Sequence, residues 1–251
     1  MCMFMGPARV ARTKLFATRQ AERQVLVYEA RVDSAAPNAM MLPVPVAAHD
    51  SRIELINLEA YPLFFEALYA QYIIPNFSAP SQAAALEVFR VGAYEASIVP
   101  SIQDMSRIDG RFRLSEQLLA ALAERYADHA FVVYQFAAGR QQLHPFAFSF
   151  TSRYDKHLFF PTLHVHDGEG VPDAADFDHE FAAQGARLDS RLLPHGPPPP
   201  MNTHPGFGFE ALPTFPNVNQ LPDFVDQRAP LDMGTREGRF RNEDILAALF
   251  G

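Results

Sequence analysis

The chain has 251 residues, of which 48% are hydrophobic and 20% are charged. This length and composition predict a globular protein with a buried core, and they exclude a wholly disordered chain. The formal net charge of −8 argues against nucleic acid or an anionic membrane as the main partner. The sequence also contains no apolar run of the roughly 20 residues that a membrane-spanning helix needs.

The N-terminal residues predict a cytoplasmic protein. They lack the apolar segment and the small-residue cleavage site of a secretory signal. Cys2 is the only cysteine, so an intramolecular disulfide is excluded, as is typical of a reducing compartment.

The first part of the chain has the pattern of extended structure. Residues 9–32 alternate in polarity around a polar tip at 20–23, which predicts two strands and a turn. The basic side chains of this hairpin predict a solvated face. Residues 40–46 (MMLPVPV) predict another extended piece, whose prolines forbid a central ladder position on their side.

Helical and extended patterns then alternate. Residues 61–74 carry apolar side chains at helical spacing, with Pro62 suited to a first turn, and 81–86 predict a second short helix. Residues 87–100 predict a strand. Ser115 is a predicted N-cap for a clear amphipathic helix over 115–129.

Three apolar segments in quick succession predict an antiparallel meander. They are residues 130–137, 145–151 and 158–166, separated by turn-forming residues. Residues 179–184 predict one more strand. With the hairpin and three or four helices, these elements favour an α+β fold.

Residues after 190 differ in composition. Ten prolines lie between Pro194 and Pro230, among phenylalanines and aliphatic residues, and this predicts an ordered strap wrapped over the globule. Asn242 is a predicted cap for a terminal helix over 242–250. We therefore expect a core domain over 1–190 with the strap and C-terminal helix, 191–251, packed on it.

Histidines are concentrated in one region. Five of the nine lie between residues 143 and 180: His144, His157, His164, His166 and His179. Side chains alternate along a strand, so His164 and His166 share one face, with Cα atoms roughly 6–7 Å apart. This spacing allows both imidazoles to reach a single cation.

Neighbouring residues supply further metal ligands. Asp167 or Glu169 is the predicted third ligand or base, and Asp178 and His179 return from the far side of the acidic loop, with His144 as another ligand. Two histidines and a carboxylate suit iron or a catalytic zinc. The alternatives are a half-exposed polar face without function and acid–base use without a metal.

Cys2 predicts a second kind of site. Removal of the initiator methionine would leave a free cysteine whose thiol attacks an amide while its own α-amino group acts as base. The segment TKLFATR, residues 13–19, resembles a strand of the cysteine-type N-terminal nucleophile hydrolases in which an arginine supports the thiol. The aspartate that follows this arginine in that family is absent, because Gln20, Ala21 and Glu22 stand there.

Three functions remain open at this point. The first is a metal-dependent enzyme, an oxidoreductase or a hydrolase, acting on a small molecule or a modified peptide through the histidines. The second is an N-terminal cysteine amide hydrolase. The third is a non-catalytic interaction protein that docks through its strap.

Overall fold

A computed structural model describes most of the chain: residues 2–73, 95–108, 110–112, 114–168, 170–191, 193 and 221–250. Strands account for 53% of it and helices for 13%. The expected α+β class is therefore wrong, and the fold is mainly β, with mixed and antiparallel sheets.

Fourteen strands lie in the described part of the chain. They are β1 (Cys2–Phe4), β2 (Arg9–Gln20), β3 (Arg23–Ser34), β4 (Asn38–Val44), β5 (Ile53–Ile56), β6 (Glu95–Val99), β7 (Ala130–Phe136), β8 (Gly139–Thr151), β9 (His157–Phe160), β10 (His164–Val165), β11 (Ala174–Gln184), β12 (Ala186–Arg187), β13 (Leu231–Arg241) and β14 (Ile245–Leu249).

These strands form three sheets. The five-stranded sheet has the order β10-β1-β4-β7-β6, the six-stranded sheet β13-β11-β2-β3-β8-β5, and the three-stranded sheet β12-β14-β9. Two pairs are parallel, β1 with β10 and β2 with β11. The two described strands after residue 190, β13 and β14, belong to sheets that also contain earlier strands.

The predicted hairpin is confirmed as β2 and β3, joined at residues 21 and 22. The buried apolar side chains form two clusters, a larger main core and a smaller second core. Strand β3 is buried on both faces, because Leu26 and Tyr28 belong to the main core and Val25 and Val27 to the second core. The predicted solvated face does not hold at Lys14, whose side chain is only 14% exposed.

Helices cover the sheets at two places. Helix α1 (Phe64–Ile73) packs on the second core, and α2 (Glu116–Arg125) packs on the main core. Ser115 caps α2 as predicted, accepting a hydrogen bond from the backbone N of Leu118 at 3.1 Å. Two short 3₁₀ helices also occur, Ile102–Arg107 and Gly110–Phe112. Among the described residues, no helix has the length and hydropathy to span a membrane.

Strand β4 combines a central position with a proline. It lies between β1 and β7, but β1 pairs only with Met40 and Met41. Pro43 lies beyond the end of that short ladder and faces only Phe131 of β7. The sequence predicts that a proline prevents strand pairing on one side. Because Pro43 pairs only with β7, this prediction is compatible with the central position of β4 in the sheet.

The predicted meander is wrong. Strand β7 belongs to the five-stranded sheet and β8 to the six-stranded sheet, while the third segment breaks at residues 161–163 into β9 and β10, which lie in different sheets. Each strand pairs with a partner far away in sequence, and the local turn signals carry no information about such partners.

The predicted C-terminal helix is also wrong. Residues Ile245–Leu249 form β14, between β12 and β9, and Ile245 and Ala247 are buried while Leu246 and Ala248 are exposed. This alternation satisfies a strand, and sheet pairing overrides the helix propensity of Leu and Ala. Asn242 does not cap a helix, and its side chain hydrogen-bonds the backbone of His164 and Pro172 instead.

Part of the C-terminal region can be compared with the strap prediction. Leu221, Phe224 and Val225 pack in the second core beside Phe16 and Phe64. The proline run at 197–200 lies outside the described residues, as do the predicted helix at 81–86 and the first part of the predicted strand at 87–100. The described part of that strand is β6.

Candidate functional site: a histidine-lined cavity

The backbone of His164 is held by both neighbouring and distant groups. Strand β10 pairs in parallel with β1, and His164 stands in register with Cys2. On its other side, the backbone N of His164 donates to Oδ1 of Asn242 at 2.6 Å, and Nδ2 of Asn242 donates to the carbonyl of His164 at 2.9 Å. The side chain of Asn242 therefore takes the place of a neighbouring strand, because it makes the two hydrogen bonds to His164 that a paired backbone would make.

Three imidazoles meet in front of this backbone. The ring centre of His164 lies 5.1 Å from that of His166 and 4.9 Å from that of His179, which comes from β11. The ring of Phe177 packs edge-on against His164, with centres 4.2 Å apart. The predicted pair and its predicted partner from beyond the acidic loop are thus brought together.

Burial keeps these imidazoles neutral. His164 is 4% exposed and His179 is 1% exposed, and His166 is partly buried. Desolvation is the main cause that lowers the pKa of all three below the ordinary value, because an imidazolium loses its hydration there. At neutral pH each ring is therefore uncharged and has one nitrogen lone pair, and in His179 that lone pair is on Nδ1, which accepts from the backbone N of Asp178 at 3.3 Å.

Hydrogen bonds indicate which nitrogens are available. Nδ1 of His164 lies 3.0 Å from the carbonyl oxygen of Thr162, so in the neutral ring Nδ1 carries the proton and Nε2 is the acceptor. Nε2 of His166 is buried and has no hydrogen-bond partner among the described residues. Buried polar atoms are normally paired, so this nitrogen marks an unfilled interaction.

A cavity of about 230 Å³ opens at the cluster. Its lining consists of the three imidazoles together with Val10, Thr13, Asp176, Phe177 and Asp178. The volume suits an ion with its water or a small part of a larger molecule.

Asp178 stands at the edge of the cavity. Its Oδ2 accepts a hydrogen bond of 2.6 Å from the backbone N of Arg12. Arg12 has a φ of 55°, which is rare for a residue with a side chain, and it lies at a β-bulge in β2. Burial raises the pKa of Asp178 above its ordinary value. Its Oδ1 is 3.5 Å from Nδ1 of His179, which is too long for a strong hydrogen bond.

The other predicted site residues have different positions. Asp167 is exposed just after β10, and Glu169 lies outside the described residues. His144 is on β8, away from the cavity lining, with its Nδ1 2.8 Å from the carbonyl of Pro145. The backbone of Cys2 is beside His164, and its side chain is outside the described part of the chain. As arranged, the described residues contain no group of three His, Cys, Asp or Glu placed to hold a metal ion.

The fold can be compared with known proteins. No protein-family model matches the sequence, and no curated protein matches it. The crystal structure of baculovirus P35 aligns with 97% of this chain and 98% of its own, with a TM-score of 0.53 and 11% sequence identity. The fold is similar to that of baculovirus P35. At this identity the likeness to P35 shows the fold alone, so the function must be argued from the cavity itself.

The sequence pattern does not predict every residue of the cavity lining. The strand predicted at 179–184 begins earlier, at Ala174, so Asp176 and Phe177 were not assigned to the site. The buried alternation of Ala175, Phe177, His179 and Phe181 is the signal that extends it. Thr13 enters the lining through the parallel pairing of β2 with β11, which no local pattern indicates.

Proposed function

We propose that this protein is a metal-dependent enzyme acting on a small molecule or a modified peptide, with iron or zinc held by His164, His166 and His179. The observation that supports this is the meeting of three desolvated, neutral imidazoles at one cavity. Metals bind the neutral form of histidine, and burial keeps these rings in that form.

The spacing of the rings agrees with a shared ion. Zinc binds an imidazole nitrogen at about 2.0–2.1 Å, which puts the ring centres of two tetrahedral ligands roughly 5 Å apart. The two measured separations are 4.9 and 5.1 Å. Because the described residues do not form a ligand group by themselves, the proposal includes Cys2, in register with His164, as a further ligand.

Metal analysis of protein purified without a histidine tag tests the proposal. Wild type should carry close to one zinc or iron per chain after dialysis against the ion and removal of excess. His166→Gln, at the less buried of the three rings, should lose most of it. His157→Gln is the matched control, since His157 lies on β9 outside the cavity lining. A wild type without metal, or equal metal in His166→Gln, would disprove the proposal.

A second candidate is the N-terminal cysteine amide hydrolase. The observation in its favour is the backbone register of Cys2 with His164, whose imidazole is kept neutral by burial. With Met1 removed, the α-amino group of Cys2 takes the thiol proton as the thiol attacks the amide carbon, and it passes that proton to the leaving amine. Water then hydrolyses the thioester and restores the thiol. Both candidates assume a reducing, cytoplasmic location.

Intact mass and alkylation separate the two candidates. The hydrolase requires a mass that corresponds to loss of Met1 and a Cys2 thiol that iodoacetamide modifies faster above pH 7 than below it. Retention of Met1 would exclude the hydrolase and leave the metal proposal standing. Protection of Cys2 from alkylation by added zinc, reversed by a chelator, would favour the metal site.

A further inference from the structure

Arg236, on β13, is the largest of the fully buried side chains, with 2% of its surface exposed. Its Nη2 donates to the carbonyl of Arg241 at 3.0 Å. Among the described residues, its buried Nε and Nη1 have no hydrogen-bond partner, and no carboxylate forms an ion pair with it. A buried cation without a counter-charge is costly, so this side chain requires an explanation.

Aromatic rings account for part of its stabilisation. The guanidinium carbon lies 4.4 Å from the ring centre of Phe177 and 4.7 Å from that of Phe240. These contacts are cation–π interactions with the faces of the two rings. The N–H groups of a guanidinium point outward in its own plane, and Nε and Nη1 are left with hydrogens to donate.

Among the described residues, the carboxylate of Glu243 acts on the charge of Arg236, and it does so without forming an ion pair with it. Arg236 stands in register with His179, and its charge is one of the causes that lower the pKa of His179, after desolvation. The carboxylate that acts on it, Glu243, already lies 3.4 Å from Nε of Arg241. Phe177 joins the two regions, because its ring packs on the guanidinium and also lines the histidine cavity.

We propose that Arg236 is the binding group of an oxyanion site, which takes the carboxylate or phosphate of a small ligand beside the histidine cavity. An oxyanion supplies the missing charge, and its oxygens accept from Nε and Nη1 in the guanidinium plane. The two phenylalanine rings orient the guanidinium by packing against it, so little of its freedom is lost on binding. This site does not depend on the proposed metal.

Thermal unfolding of the full chain in the presence of EDTA tests the site, with sodium phosphate, sodium acetate or sodium chloride at one ionic strength. A ligand that binds only the folded state raises the melting temperature, by about 3–6 °C at tenfold excess over its dissociation constant. We expect such a saturable rise with phosphate, acetate or both, and none with chloride. The anion that gives the larger rise identifies the group that the site takes.

Three variants assign the effect to Arg236. Arg236→Met fills the same space without charge and should abolish the rise. Arg236→Lys keeps the charge without the planar donors and should weaken phosphate binding at least tenfold. Arg140→Met removes an exposed arginine of β8 and should keep the full rise.

Two results would overturn the proposal. One is a wild type that responds to phosphate and acetate no more than to chloride, and the other is a response that survives in Arg236→Lys undiminished. Where Arg236→Met does not fold, the lysine variant and the wild-type salt comparison still decide. EDTA removes the proposed metal throughout, so failure here leaves the metal analysis unaffected, and the reverse also holds.

Discussion

The peptide groups that precede the histidine pair are fixed by two acceptors of the C-terminal segment. Oδ1 of Asp244 accepts from the backbone N of Thr162 at 2.8 Å and of Leu163 at 3.2 Å, and its Oδ2 accepts from the hydroxyl of Tyr126 at 2.6 Å. Asn242 continues the same series at His164. These bonds replace sheet pairing where the chain passes from β9 to β10, and they orient the imidazoles from behind.

Position 168 requires glycine, because its backbone lies against the chain just after β1. Gly168 has a φ of 75°, and a Cβ added there would lie 2.6 Å from the carbonyl oxygen of Met5. Gly168→Ala should therefore lower the free energy of unfolding by about 2–4 kcal/mol, since a left-handed residue with a side chain and a clash with backbone both contribute. Urea unfolding monitored by circular dichroism measures this.

Gly170→Ala is the control for that substitution. An added Cβ at Gly170 has no neighbour within 4 Å and Gly170 lacks the unusual φ, so the change should stay within about 0.5 kcal/mol. Equal effects at the two positions would contradict the assigned role of the close approach.

Lys14, on β2, connects its own strand to β3 and to helix α1. Its Nζ lies 3.0 Å from Oε1 of Glu29 on β3 and 2.9 Å from Oε1 of Glu66 on α1. Glu180 of β11 stands in register with it. One ammonium in a largely buried position thus pairs with two carboxylates and lies in the field of a third, and its ion pair with Glu66 attaches α1 to the sheet.

The cluster should make stability depend on pH. Burial is the main cause that raises the pKa of Glu29 to about 7, with Lys14 acting in the opposite direction. A carboxyl whose pKa is raised on folding favours the folded state below its unfolded pKa. That contribution is lost as the pH rises through the folded pKa. For Glu29 the window runs from about pH 4.5 to about pH 7.

Lys14→Met tests this cluster. Removing the cation that pairs with both Glu29 and Glu66 leaves these carboxylates without that ion pair, and the free energy of unfolding should fall by about 3–5 kcal/mol at pH 8. At pH 5 the loss should be smaller, because Glu29 then binds a proton. Urea unfolding at both pH values measures the difference. Arg140→Met, at an arginine that is 86% exposed, should change stability little at either pH, and an equal loss for Lys14→Met at both would count against the cluster.

Local pattern predicted the elements whose partners are adjacent in sequence. The hairpin β2–β3, the body of α1 and the capped helix α2 follow from periodicity and caps within each segment. The pairing of β7, β8 and β9 could not be predicted in this way. The burial of Lys14 could not be predicted from local pattern either, because it depends on contacts with α1 at Glu66 and with β11 at Glu180, both distant in sequence.

Strands at the two ends of the described sequence pair with strands from its middle. Strand β1 pairs with β10, and β9 pairs with β14. The histidine cavity consequently combines residues near positions 10, 164 and 179, with Asn242 behind them. The sequence predicted that His164, His166 and His179 would be neighbours, because one loop joins them. It could not predict the contribution of the two chain ends, which depends on long-range pairing.

Removal of the C-terminal strand tests this dependence on long-range pairing. A chain ending at Arg241 lacks β14, its buried residues Ile245 and Ala247, and the acceptors Asn242 and Asp244. We expect a loss of about 5 kcal/mol or more, enough to unfold a typical domain. A chain ending at Leu249 retains the whole ladder and should melt within a few degrees of wild type. A synthetic peptide of residues 242–251 should restore the folded near-ultraviolet spectrum of the shorter chain by adding a strand between β12 and β9. If the chain ending at Arg241 melts like wild type, β14 does not hold β9 and β12 together, and the position of the histidines must be maintained by the pairing of β10 with β1 and of β11 with β2 and β13.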